Sequence, residues 1–203
     1  MLEKKFKILC SYYSPNIQLI EKLWNQIQSA YTTPTRYYHN LNHLLHIYNE
    51  LKPLKFSQKV WQELQFSLFY HDIIYNIKKE DNEKESAIFA KNQLSLLQIN
   101  KKSIQRISKL INETKVHKPT SQINAYFLDA DLAILGSSNF EYQKYIRNIR
   151  KEYSFYTDEP YKKGRKKVLE SFLNKEKIFH TQYFYNKYEE QSQNNLLSEY
   201  HQL

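Results

Sequence analysis

The chain has 203 residues and a formal net charge of +9, from 30 Lys and Arg against 21 Asp and Glu, a length that suits one domain with a sizeable buried core. A single cysteine, Cys10, excludes a disulfide framework and any multi-cysteine zinc or iron-sulfur site. Two glycines and five prolines are too few for hairpin-rich sheets. No apolar run approaches the ~18 residues of a membrane span. The N-terminus MLEKKFKILCSYY is basic but lacks the apolar stretch of a leader peptide, so a cytoplasmic, membrane-free protein is expected.

Period 3.6 dominates from end to end. Ser14 and Pro15 read as a cap with a first-turn proline, and Ile20, Leu23, Trp24, Ile27 and Tyr31 keep one apolar face of a helix that ends near Thr32 to Pro34. The second helix is expected to start around Arg36 to Tyr38 and to stop at Leu51, before Pro53. Ser57 caps a third, whose stripe takes in Val60, Trp61, Leu64, Leu68, His71 and Tyr75. Polar residues from Asn76 to Asn82 form a loop. Helical patterns return over Asn82 to Leu97, Lys101 to Lys115, Ile123 to Leu135 and Asn139 to Phe155. Asp158-Glu159-Pro160 starts another, to Asn174, and the last covers Gln182 to Tyr200. The expected fold is an all-α, single-domain bundle of about eight to ten helices, with a core over residues 15–136 and a helical extension over 137–203.

One basic cluster stands out: Lys162, Lys163, Arg165, Lys166 and Lys167. It could attract phosphate or nucleic acid, but a solvated helix face is the better reading, and nothing else indicates nucleic acid. The 18 tyrosines fit amphipathic helices, with the ring packed and the hydroxyl wet.

Four residues are candidates to converge on one ion: His43, the neighbours His71 and Asp72, and Asp131. Two imidazoles and two carboxylates make a mixed nitrogen and oxygen set that suits a divalent cation with positions left open. His39 lies four residues before His43, on the same face if both are helical. Neighbours on a helix point about 100 degrees apart, so one ion reaches His71 and Asp72 only at a junction between helices. Asp131 lies among Phe127, Leu128, Ile134 and Leu135, company that ionised carboxylates rarely keep without a partner. Asp129, His117, Lys115 and Arg150 are candidates for a second metal or a substrate phosphate. Asp129 also fits a helix cap or salt bridge, and His117 a cation at a helix C-terminus. Glu83 could hold a second ion or orient the attacking water, or simply favour a helix N-terminus. Arg36 and Arg147 join the candidate phosphate clamps, although most arginines make salt bridges. His46, His180 and His201 read as structural or surface residues.

The ordered segments RYYHNLNHLLHIY, FYHDIIYN, DNEKESA, ETKVH, LDADLAILG, IRKEY, GRKKVLESFL and EEQSQNNL resemble the HD superfamily of metal-dependent phosphohydrolases. Within it, they look most like a bacterial branch of predicted phosphohydrolases. The resemblance spans residues 15 to 200 and implies an all-α fold with a metal held by His43, His71, Asp72 and Asp131. Tyr38-His39-Asn40 with His43 also resembles the metal-site entry of cyclic-nucleotide phosphodiesterases, although their glutamine-lined purine pocket is missing here. That likeness implies His39 as proton donor to the leaving oxygen and His43 as first ligand, and Ile47 matches the apolar position that follows the first ligand. The implied substrate is a small phosphomonoester or diester, as of a nucleotide, and copies of HD proteins often pair. Zinc prefers fewer, tetrahedral ligands and magnesium seldom takes imidazole, which favours Mn, Fe, Co or Ni. Two alternatives remain: a catalytically silent nucleotide- or RNA-binding module, and an HD-fold di-iron oxygenase, which needs further histidine ligands.

Overall fold

A computed structural model describes all residues, 1–203, as ten α-helices and one 3-10 turn with no strand. The chain forms two compact units, Met1–Pro119 and Thr120–Leu203. The division falls after Pro119, ahead of the expected core boundary near residue 136, so the helix that carries Asp131 belongs to the second unit. No helix is long and apolar enough to cross a membrane.

The first unit contains α1 (Leu2–Ser11), α2 (Ile17–Tyr31), α3 (Leu41–Leu51), α4 (Gln58–Tyr70), α5 (Asn82–Leu96) and α6 (Lys101–Glu113). Helix α4 is its centre, with Leu64 through Tyr70 buried without interruption and α1, α3, α5 and α6 packed around it. A helix end that is buried on every side is a core element. Phe6 of α1 closes one flank, its ring 4.9 Å from Phe69 edge-on and 6.0 Å from Trp24.

Two starts differ from the expected ones, and both turn on asparagine. The cap of α2 is Asn16, not Ser14: its side chain accepts the Leu19 N–H at 2.9 Å, while Ser14 accepts the N–H of Asn16. Helix α3 begins at Leu41 because Asn40 takes the cap in extended backbone (φ −121, ψ −173) and accepts the Asn42 N–H at 2.8 Å. A side chain that satisfies a first-turn donor while its own backbone stays extended sets the boundary there. Residues 36–39 therefore lie outside the helix, and so does Tyr75, because α4 stops at Tyr70 with His71 as its C-cap. Helix α1 had no counterpart among the expected elements.

The second unit holds α7 (Gln122–Leu132), the 3-10 turn Ala133–Gly136, α8 (Asn139–Glu152), α9 (Asp158–Leu173) and α10 (Gln182–Gln202). Its long α10 packs on the turn, α7 and α9. Gly136 makes this possible: a β-carbon there would lie 2.5 Å from Tyr188 Cβ and 2.6 Å from its carbonyl oxygen. Asn195 fastens the same turn by donating to the carbonyls of Leu135 at 2.8 Å and Ser137 at 2.9 Å.

Candidate metal centre

In the first unit, His43 comes from the third residue of α3, His71 from the C-cap of α4, and Asp72 from the residue after it. The two imidazoles are 4% and 1% exposed. Their Nε2 atoms lie 3.2 Å apart. Asp72 Oδ2 is 3.2 Å from His71 Nε2 and 3.8 Å from His43 Nε2. His71 and Asp72 can share one focus because the helix ends between them; inside a helix they would diverge.

The tautomer of His71 follows from its other nitrogen. Nδ1 lies 2.9 Å from the Leu68 carbonyl oxygen, which can only accept, so Nδ1 carries the proton and the Nε2 lone pair faces His43 and Asp72. With metal–ligand bonds of about 2.1 Å, ligands at right angles sit about 3.0 Å apart, so separations of 3.2 to 3.8 Å fit one shared ion. Burial pushes the Asp72 carboxyl up, yet the positive charge that His71, and behind it His39 and His43, carry when protonated outweighs this and holds it well below the carboxylate range. Asp131, the fourth expected ligand, lies half-buried on α7 in the second unit.

His39 is half-buried, in the turn that precedes α3. Its ring centroid is 5.6 Å from that of His43 and 4.4 Å from that of Tyr75, so it adjoins the centre without sharing a helical face with His43. Glu83 sits half-buried in the first turn of α5, where a negative charge favours the helix N-terminus. His117 follows α6 at φ 49, in the left-handed region, and donates its N–H to the Glu113 carbonyl at 2.9 Å. It thus serves the helix end, as a left-handed terminal residue does. Lys115 is exposed, and its ammonium donates to the Glu80 carbonyl.

Three further candidates are occupied by the fold, which corrects their assignment to a second metal or phosphate. Asp129 is fully buried and accepts from the His180 N–H at 2.8 Å and from the Thr181 N–H and hydroxyl at 2.7 Å each, so it anchors the cap of α10. Burial pushes its carboxyl up and these hydrogen bonds pull it only part of the way back. Arg150 donates to the carbonyls of Tyr153 and Tyr156, at 3.1 Å each, and to Asp158 at 2.7 Å, closing the turn between α8 and α9. Arg36 donates to carbonyls alone, those of His39, Asp72 and Ile73. Arg147 is exposed on α8. Within the basic cluster, Arg165 turns inward to Glu199, with Nε–Oε1 at 2.6 Å.

Reading the residues missed the scaffold behind the centre. Tyr31 places its hydroxyl 3.2 Å from the Asp72 N–H, which donates to it, and the fully buried Ser86 both receives the Ile74 N–H at 3.1 Å and donates to the Ile74 carbonyl at 3.2 Å. Periodicity puts Tyr31 on the apolar face of α2 and Ser86 lies in the DNEKESA segment, but neither pattern marks a hydrogen bond to distant backbone. Comparisons with protein-family models, with curated proteins and with solved structures find no match.

Proposed function

We propose that this chain is a metal-dependent phosphohydrolase that cleaves a phosphomonoester or diester of a nucleotide or a related small molecule. The supporting observation is the convergence of His43 Nε2, His71 Nε2 and Asp72 Oδ2 at 3.2 to 3.8 Å, with both imidazoles buried. Lone pairs brought so close repel one another unless a cation or proton lies among them. His43, His71, Asp72 and Asp131 are the proposed ligands, and their nitrogen and oxygen donors favour Mn, Fe, Co or Ni. A divalent ion there supplies Lewis acidity, which acidifies water and offsets charge on a phosphoryl oxygen.

The chain's own groups divide the remaining work. Asp72 keeps its charge while the proton on His71 Nδ1 is committed to the Leu68 carbonyl. His39, half-buried beside His43, is placed to hold a proton for the departing oxygen.

The test is elemental analysis of the purified protein together with a phosphate-release screen over a nucleotide panel with Mn, Fe, Co and Ni. Wild type should hold metal and release phosphate, and Asp72→Ala should lose both. Equal metal in wild type and Asp72→Ala would defeat the site assignment. Tight nucleotide binding with no turnover under any metal would favour the silent binding module.

A further inference from the structure

We propose that Arg36 is the positioning residue of the centre, a buried fork that locks the segment carrying His39 to the turn carrying Asp72. Arg36 is 9% exposed and sits in the four residues between the end of the Thr33 turn and the cap of α3. Its guanidinium donates from Nη1 to the Asp72 carbonyl at 2.7 Å and to the His39 carbonyl at 3.3 Å, and from Nη2 to the Ile73 carbonyl at 3.1 Å. The Tyr31 ring lies 4.8 Å from its carbon and the Tyr75 ring 5.3 Å. Two strands of irregular backbone, 36 residues apart in sequence, therefore share one planar cation.

The arrangement has the features of a device for geometry. A buried guanidinium is expensive unless paired with a carboxylate, yet every hydrogen bond of Arg36 goes to a peptide carbonyl. Arg165, by contrast, pairs with a carboxylate, that of Glu199. What the carbonyl contacts achieve is registration. The Asp72 peptide is held at both ends, its N–H by Tyr31 and its C=O by Arg36, which leaves the side chain little freedom to drift from His71. The same fork fixes the peptide of His39, whose ring lies 4.4 Å from that of Tyr75 and tilted to it by 32°, Tyr75 being one of the two rings beside the guanidinium. Lysine could not substitute: its ammonium is a point donor on a flexible stem and cannot span three carbonyls in one plane.

This inference rests on the metal reading for one of its two readouts only. The first is titration of metal-free protein with Co²⁺, following the visible absorption of the bound ion, for wild type, Arg36→Lys and Arg36→Gln. Loss of a group that orients ligands from behind lowers metal affinity by about 10- to 100-fold. Arg36→Lys should fall in that range, with an altered absorption spectrum, although it keeps the charge. The second readout needs no metal: imidazole resonances of the metal-free proteins, which should shift in Arg36→Lys for His39 and His71 and stay put for His180 and His201. Circular dichroism identifies variants that remain folded, and Arg36→Lys is the one chosen to do so. A folded Arg36→Lys with wild-type Co²⁺ affinity and spectrum overturns the proposal. If wild type itself takes up no Co²⁺, the metal reading falls, and unshifted His39 and His71 resonances would then overturn the positioning role by themselves.

Discussion

The two units bury charge in opposite ways. In the second, three buried carboxylates face donors: Glu199 receives Arg165 at 2.6 and 2.9 Å and the Tyr142 hydroxyl at 2.6 Å, Glu189 receives the N–H groups of Ile178 and Phe179 at 3.0 Å, and Asp129 takes those of His180 and Thr181. Four consecutive N–H groups ahead of α10 are thereby satisfied by two side chains. In the first, the buried imidazoles of His43 and His71 and the half-buried carboxylate of Asp72 face one another at 3.2 to 3.8 Å. Fully paired buried charge builds a fold, whereas converging lone pairs build a place for something to bind.

The sharpest way to break this contrast is to remove one partner from each kind of cluster. Glu199→Ala leaves the Arg165 guanidinium buried without its carboxylate, and loss of one member of such a pair costs about 3–5 kcal/mol; denaturant unfolding should show it, with Co²⁺ binding unaltered. Asp72→Ala should do the reverse. Its Co²⁺ affinity should drop by at least about 100-fold, since a lost ligand exceeds a lost orienting group, while metal-free stability at pH 8 stays within about 1 kcal/mol of wild type. An Asp72→Ala protein as unstable as Glu199→Ala would erase the distinction. Between these lies Asp129→Ala, which orphans the buried N–H and hydroxyl of Thr181 and the part-buried N–H of His180. It should lose about 2–3 kcal/mol and retain metal uptake; loss of metal uptake in a folded Asp129→Ala would restore Asp129 as a candidate ligand.

Much of this was legible in the residues, and the exceptions share a cause. The starts of α4 to α10 follow within a residue from capping residues and apolar periodicity, as with Ser57 before α4, whereas α7 and α8 stop at Leu132 and Glu152, short of the expected Leu135 and Phe155. Periodicity also places His71 on the apolar stripe of α4. It fails at Arg36 to Asn40, where the pattern permits helix but Asn40 caps one later, and that shift takes His39 off the face of His43. Asp129 and Asp131 show the same limit. Both are acids in one apolar stretch of α7, and only the N–H groups of His180 and Thr181, some fifty residues onward, mark Asp129 as a fold-building anchor. Long-range polar pairing leaves no local signature, so roles assigned by residue type alone divide wrongly among neighbours.

The smallest effect is expected from a charge pair in the first unit that belongs to neither class. Arg106 of α6 donates from Nε to Glu63 of α4 at 2.8 Å, at the surface, with the arginine side chain 47% exposed. Burial raises the Glu63 carboxyl, but the Arg106 hydrogen bonds outweigh it and hold the group below its ordinary 4.5. A carboxyl depressed in the folded state stabilises that state above its unfolded value, and the gain is lost as pH falls from about 4.5 through the lower folded value. Solvent screening limits an exposed pair to about 0.2–1 kcal/mol. A double-mutant cycle of Glu63→Gln and Arg106→Gln should therefore give a coupling of that size at pH 7 and a smaller one at pH 3.5. Coupling that grows on acidification would reverse the sign. Because Glu63 lies a full two turns before His71 on α4, neither substitution should change Co²⁺ affinity, and one that did would show that the surface of α4 helps to set the centre at its end.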